Sequence, residues 1–284
     1  MDELDNNKLK AEDDEREVES EENQRGEEIE VNEDRLPSRA MAIHEHIRQE
    51  GEKEMERDAL ALLWSAIAAG LSMGPPCWRR EFFTSNWRGS REVFCWKNLG
   101  YTFGFIIVIM ARQQLFTENT VTAVLPVMHN PTLGNVGLLM RLWSVVLAGN
   151  LIGTAVAAWA FNYMPIFDEP TRQAFVSIAE DVMKNSPTEM FANAIISGWL
   201  VATMVWMFPV AGAAKIVVII LMTWLIALAD TTHIVVGSVE ILYLVFNGNL
   251  PWSDFIWPFA LPTPGGKYLW WDLHLRTAEP CADP

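Results

Sequence analysis

Six uncharged runs dominate this chain: Ala59 to Trp78, Asn98 to Ala111, Asn119 to Met140, Leu142 to Phe167, Met190 to Ala214 and Ile216 to Ala229. Several reach the ~20 residues that carry a helix across ~30 Å of hydrocarbon at 1.5 Å per residue. A soluble protein has no use for so many, so the sequence predicts an all-α, multi-pass membrane protein. Small residues recur inside the runs, as at Gly149, Gly153 and Ala155 to Ala158, or Ala211 to Ala214. They let helix backbones approach closely where no hydrophobic effect drives association.

Charge is segregated from these runs. The chain carries a formal net charge of -15, and residues 1 to 58 hold 22 acidic and 9 basic side chains, which leaves little for the rest. Residues 1–36 are nearly devoid of apolar side chains and read as a disordered acidic tail. No basic start followed by a short apolar core marks a cleavable signal peptide. Residues 37–57 read as an amphipathic surface helix with Ile43, Ile47 and Met55 loosely on one side. Asp168 to Lys184 repeats that design with Phe175, Ile178 and Met183. His44 and His46 face different sides of a helix and make a poor metal pair. The transmembrane domain is expected over 58–263.

Two interruptions carry the functional information. Arg112, Gln113, Gln114 and Glu118 separate a short apolar run from a stretch ending at Pro126. Asp230-Thr231-Thr232-His233 splits another run at what would be mid-bilayer depth. Broken backbone is tolerated there only where it is buried in protein or lines a watery cavity, and half-helix ends make natural ion sites. Asp230 reads as the cap of the restarted half-helix rather than a proton carrier. An imidazole such as His233 titrates near neutral pH and can pass a proton, so it reads either as a relay or as a core histidine satisfied by Thr231 or Thr232.

The segment LFTENTVTAVLPVM at Leu115 to Met128 resembles the FTxN loop of the formate/nitrite transporter family, and the broken helix with His233 resembles that family's fifth helix. The resemblance implies an aquaporin-like six-helix bundle with broken second and fifth helices, a homopentamer with one pore per protomer, and passage of small monovalent anions and protons through the lipid bilayer. It implies a bacterial inner (cytoplasmic) membrane protein with the N-terminus and the Asp254 side cytoplasmic; this orientation rests on the resemblance, since few basic residues flank the spans. It places Phe116, Thr117, Asn119, Lys184 and His233 on the pore path, with Phe116 narrowing it, the Thr117 hydroxyl facing His233, and Lys184 in a vestibule. Lys184 as a solvated helix-end cation and Phe116 as ordinary packing stay open. The sequence departs from the family at Thr232, Gly237, Asn193 and Gly198, where glutamate, asparagine, arginine and asparagine are usual.

No catalytic constellation, cofactor motif or metal set is present. Cys77, Cys95 and Cys281 have no CxxC spacing, and an acidic tail is a poor partner for nucleic acid. An aquaporin-like pore for a neutral solute and a non-transporting membrane scaffold are the alternatives to an anion channel. Residues 75–97 and 264–284 differ from the rest: they hold all three cysteines and five of the thirteen tryptophans. The second lies where a sixth span should run yet is too polar to cross a bilayer. Allowed codons for Tyr268 to Arg276 and Pro75 to Phe83, read in another frame, give the apolar strings ICGGTFIF and ASLLAKGIF, so both stretches read as frameshifts and the sixth helix as lost, the alternative being a genuine cytoplasmic insertion and a diverged tail.

Overall fold

Among the described residues of the computed structural model, 39–74, 101–229, 231 and 233–263, every regular element is helical. The acidic tail and both anomalous stretches, 75–97 and 264–284, lie outside them. The chain divides into two units, Met1–Ala42 and Ile43–Pro284. Of the first, only residues 39–42 are described; everything below concerns the second.

The elements are α1 (Arg39–Glu56), α2 (Ala59–Ser72), α3 (Thr102–Met110), α4 (Phe116–Thr122), α5 (Val124–His129), α6 (Leu133–Tyr163), α7 (Glu169–Met183), α8 (Pro187–Ala211), α9 (Lys215–Leu228) and α10 (Ile234–Phe246). A short helix, Trp252–Asp254, then runs into a π-helical turn, Phe255–Ala260. The starts are written locally. Asp58 accepts from Leu60 and Ala61 amides, Asp168 from Thr171, and Ser186 forms a capping box with Glu189 ahead of Pro187. Leu133–Tyr163 and the Pro187–Leu228 run are long and apolar enough to cross a membrane.

The bundle is built on one close crossing. A Cβ added to Gly70 would lie 2.3 Å from the Asn150 carbonyl oxygen, and one added to Gly153 would lie 2.2 Å from that of Ile67. Gly149 meets Ala66, and Gly74 meets Ala157 and Phe161 in the same register. Ala66, Gly70 and Gly74 on α2 thus pack along Gly149, Gly153 and Ala157 on α6, two small-residue stripes of four-residue spacing on parallel helices. Ala211 to Ala214 play no such part. They form the exposed turn between α8 and α9, where Gly212 takes a positive φ of 49°. Large apolar side chains such as Trp64, Trp159, Trp199 and Leu221 point outward from the bundle.

Ile47 and Met55 of α1 are buried and Ile43 half-buried. Gly51 lies against the kink between α4 and α5, where a Cβ would come 2.1 Å from the Thr122 carbonyl oxygen. Pro126, four residues on, has no N–H to bond that oxygen. Arg141 of α6 reaches back to the Met55 and Arg57 carbonyls at 2.7 and 2.9 Å and closes the C-terminal end of α1. At the other end of the bundle, Phe175 of α7 packs on Phe161, Phe167 and Tyr243, and the Tyr163 hydroxyl donates to the Phe246 carbonyl. The Asp254 turn follows α10 at that end. It is opposite α1 and not on the same side, because α6, α8 and the α9–α10 pair cross in alternating directions.

Gly153→Leu should force α2 and α6 apart and cost about 1–3 kcal/mol or more, the scale of overpacking. Gly137→Ala, with nothing within 4 Å of the added methyl, should be neutral or slightly stabilising. Thermal melting of the two variants in detergent checks the contrast; equal melting would contradict the close crossing.

Candidate functional site

The first interruption is a helix end followed by a helix start, and side chains supply the bonds that the backbone loses between them. α3 ends at Met110. Arg112 adopts a left-handed φ of 51°, an uncommon conformation for a residue with a Cβ, and the Gln113 amide bonds the Val108 carbonyl at 2.9 Å, closing the turn. Leu115 runs extended, and α4 starts at Phe116. The stranded groups are met by Asn150 from the middle of α6. Its Oδ1 accepts from the Phe116 amide, and its Nδ2 donates to the Gln114 and Ala66 carbonyls, each at 2.8 Å. Asn150 is fully buried.

Gln114 is a second hub. Its amide N–H donates to Ser65 Oγ at 3.1 Å, its Nε2 donates to Glu54 Oε2 at 2.8 Å, and its Oε1 accepts from Asn119 Nδ2 at 2.6 Å. Trp143 Nε1 donates to the Asn119 carbonyl at 3.3 Å. These bonds fix which edge of each amide faces which partner: Asn119 donates to Gln114, and Gln114 donates to the Glu54 carboxylate.

The second interruption is held differently. The amide and hydroxyl of Thr231 both turn back to the Ile226 carbonyl, at 3.5 and 3.2 Å, and close the end of α9. The restart is capped by His233 and not by Asp230. His233 has extended backbone, its carbonyl takes the first helical bond from Gly237 at 2.8 Å, and its Nδ1 accepts from the Val236 amide at 3.4 Å. Asp230, three residues earlier in the sequence, lies outside the described residues. An acceptor Nδ1 leaves the proton of a neutral ring on Nε2. That nitrogen lies 3.2 Å from Thr117 Oγ1. The Phe105 ring stands edge-to-face with the imidazole, centroids 5.2 Å apart at 84°.

The structure therefore brings Thr117 and His233 together where the two broken helices meet, both almost fully buried. Phe116 is wholly buried beside Thr117, and Asn119 lies one turn along. Lys184 sits elsewhere, as the C-terminal cap of α7, about three-quarters exposed. Its Nζ bonds Asp181 at 2.6 Å, and that carboxylate raises the Lys184 pKa. Where the family resemblance expects an asparagine, Gly237 lies under the Phe259 ring, 2.8 Å from where a Cβ would stand. Asn150 and the hub role of Gln114 were missed in the sequence. The available signal for Asn150 was one amide inside the apolar string LAGNLIG.

Comparison with known proteins places these features in context. The model of the formate/nitrite transporter family matches residues 41–267. The chain is 76% identical over 264 residues to inner membrane protein YfdC of Escherichia coli (strain K12), covering 93% of this chain and 85% of that protein. A pentameric formate channel with formate bound shares the fold at a TM-score of 0.67 and 18% identity, over 77% of this chain and 95% of that one. An FNT family ion channel does so at 0.69 and 18%, over 84% and 100%.

Asn150→Leu keeps the size of the side chain and removes the partner of the Phe116 amide and of the Gln114 carbonyl, at about 1–3 kcal/mol for each buried unsatisfied group. Its melting temperature in detergent should fall steeply, while Asn150→Asp, which keeps the acceptor for Phe116, should fall less. Unchanged melting of the leucine variant would show that other groups hold the break.

Proposed function

The chain belongs to the formate/nitrite transporter family, whose members are transporters and channels and not enzymes, and on that premise we propose that it passes small monovalent anions of the formate and nitrite class. The observation that carries the reading is the contact between Thr117 and His233. It joins an imidazole, a side-chain type suited to passing a proton, to a hydroxyl on the expected pore loop. A bare charge at this depth costs several kcal/mol in apolar surroundings, whereas a neutral weak acid does not.

The two ring nitrogens support a division of labour. A proton that binds Nδ1 breaks the bond to the Val236 amide and makes the ring an imidazolium. Its Nε2 proton then passes to Thr117 Oγ1 as the hydroxyl gives its own proton to the anion. The anion leaves as a neutral acid, the ring is left neutral with its proton on Nδ1, and exchange with water restores the capping tautomer. Atoms and charge balance: one proton enters at Nδ1 and one leaves with the anion. Phe116 and Phe105 flank the exchange, Asn119 lies next along the path, and Lys184 is an outer, solvent-side attractant for anions on the opposite end from α1.

The same reading makes the chain a homopentamer in the lipid bilayer of a bacterial inner membrane. The N-terminal helix and the Glu54 end then face the cytoplasm and the Asp254 turn faces away from it.

Reconstituted in liposomes, the chain should take up formate or nitrite faster as the outside is made more acidic; silence toward both, or uptake of uncharged solutes alone, would contradict the proposal. His233→Asn should flatten the pH dependence with little change in melting, and Thr117→Val should shift it in the same direction, on the scale of about 10²–10⁴-fold for a lost general acid–base group. A pH profile identical to wild type in both variants would return His233 to the core.

A further inference from the structure

Among the described residues, one carboxyl and one imidazole are almost fully buried: Glu240, 6% exposed, and His233, 2% exposed. Both belong to the half-helix that restarts after the second break, Glu240 within α10 and His233 as its cap. The function proposed above uses the ring and leaves the carboxyl idle. An ionisable side chain inside a membrane helix is expensive and by default marks a role.

Seven residues separate the two, which is two helical turns and about 10 Å of rise. That spacing sets His233, Glu240 and Asn247 close to one line along α10. Contacts on either side locate the line. Gly237, three residues before Glu240, lies under the Phe259 ring, and Tyr243, three residues after it, packs on Phe175 of α7 with centroids 5.2 Å apart. Tyr243 and Asn247 also line a polar cavity of about 320 Å³ with Glu169 and Arg172, at the end of the bundle opposite α1. The line therefore runs from that outer cavity inward to the Thr117–His233 contact, with Glu240 halfway.

Charge is sparse on the elements packed against this half-helix. α3, the turn Phe255–Ala260 and α6 from Leu142 to Tyr163 carry none, and their titratable hydroxyls are Tyr163, which donates to the Phe246 carbonyl, and Tyr101 at the start of α3. On α7, Arg172 donates to the Asn162, Met164 and Phe167 carbonyls beside Glu169, Asp181 pairs with Lys184, and Glu180 is exposed.

Building on the anion-transport reading, we infer that the Glu240 carboxylate sets the order in which proton and anion reach the Thr117–His233 pair. A unit charge about 10 Å away, acting through a protein interior of effective dielectric about 20, changes an equilibrium constant by about tenfold. The sign is opposite for the two ligands. A negative Glu240 favours the imidazolium form of His233 by that factor, and it disfavours a bare anion beside Thr117 by the same factor while the ring is neutral. Once the ring holds its proton, the carboxylate and the imidazolium cancel and the anion is no longer repelled. The proton thus comes first and the anion second, and the carboxylate suppresses the leak of a bare anion past a neutral ring.

The test pairs histidine nitrogen NMR of the full-length chain in detergent with formate uptake by liposomes. Glu240→Gln and Glu240→Met both remove the charge, the first with hydrogen-bonding groups kept and the second without, and Glu240→Asp keeps the charge. In both neutral variants about tenfold more acid should be needed to protonate the His233 ring, and formate uptake at alkaline pH should rise about tenfold. Either neutral variant suffices if the other does not fold, and Glu240→Asp should follow the wild type in both measurements. Neutral variants that titrate and transport as the wild type does, a shift in the glutamine or the methionine variant alone when both fold, or an aspartate variant that behaves as the glutamine one would each overturn the inference. The transport reading fails separately: a shifted His233 titration without uptake by the wild type keeps the coupling of Glu240 to His233 and removes that reading, and wild-type uptake with unaltered neutral variants does the reverse.

Discussion

A helix that stops in the middle of a membrane strands amide and carbonyl groups that no lipid can bond, and every distinctive feature of this bundle follows from how those groups are met. Both breaks are bridged by side chains. At the first, one asparagine replaces the missing ladder, with an acceptor for the Phe116 amide and donors for the Gln114 and Ala66 carbonyls. At the second, Thr231 closes the outgoing end and the His233 ring opens the next helix. Because the cap is itself an imidazole, the structural repair and the proposed proton chemistry fall on the same residue.

The repair depends on close packing. Asn150 reaches the break because α6 runs against α2 through glycines that leave no room for a Cβ, and Ala66, whose carbonyl Asn150 also holds, lies on that same stripe. The first break and the α4–α5 kink are tied in turn to α1. Gly51 rests on the Thr122 carbonyl at the α4–α5 kink, and Glu54 holds the bond chain through Gln114 to Asn119. A shift of α1 is therefore a shift of the loop's donors, with no slack residue between them.

Much of the architecture was legible because charge and apolarity separate so sharply along the chain. The polar interruptions at Arg112 to Glu118 and at Asp230 to His233 stood out against apolar runs, and both are breaks. What holds them did not stand out. Asn150 is a single amide in a helix of 31 residues, and periodicity cannot say that it faces a broken strand of backbone rather than a neighbour's side chain. Asp230 was read as the cap because it precedes the restarted helix, but the cap position falls where the backbone turns helical, at His233. Ala211 to Ala214 read as packing residues because they are small, yet Gly212 at positive φ makes them a turn. The shared side given to the N-terminus and Asp254 was inherited from the resemblance; counting the alternating passes reverses it. Gly51 was invisible inside a polar helix, since its purpose lies in a contact with Thr122 far along the chain.

The central claim is that one imidazole both caps the half-helix and offers its proton to the pore loop, and the tautomer of His233 tests it most directly. Nitrogen NMR on the chain labelled at histidine, with His233→Asn to assign the signal, should show a neutral ring at alkaline pH with Nδ1 unprotonated and the proton on Nε2. On acidification that signal should move toward the doubly protonated ring. A neutral ring with its proton on Nδ1, or one that does not titrate at any pH the fold survives, would contradict it.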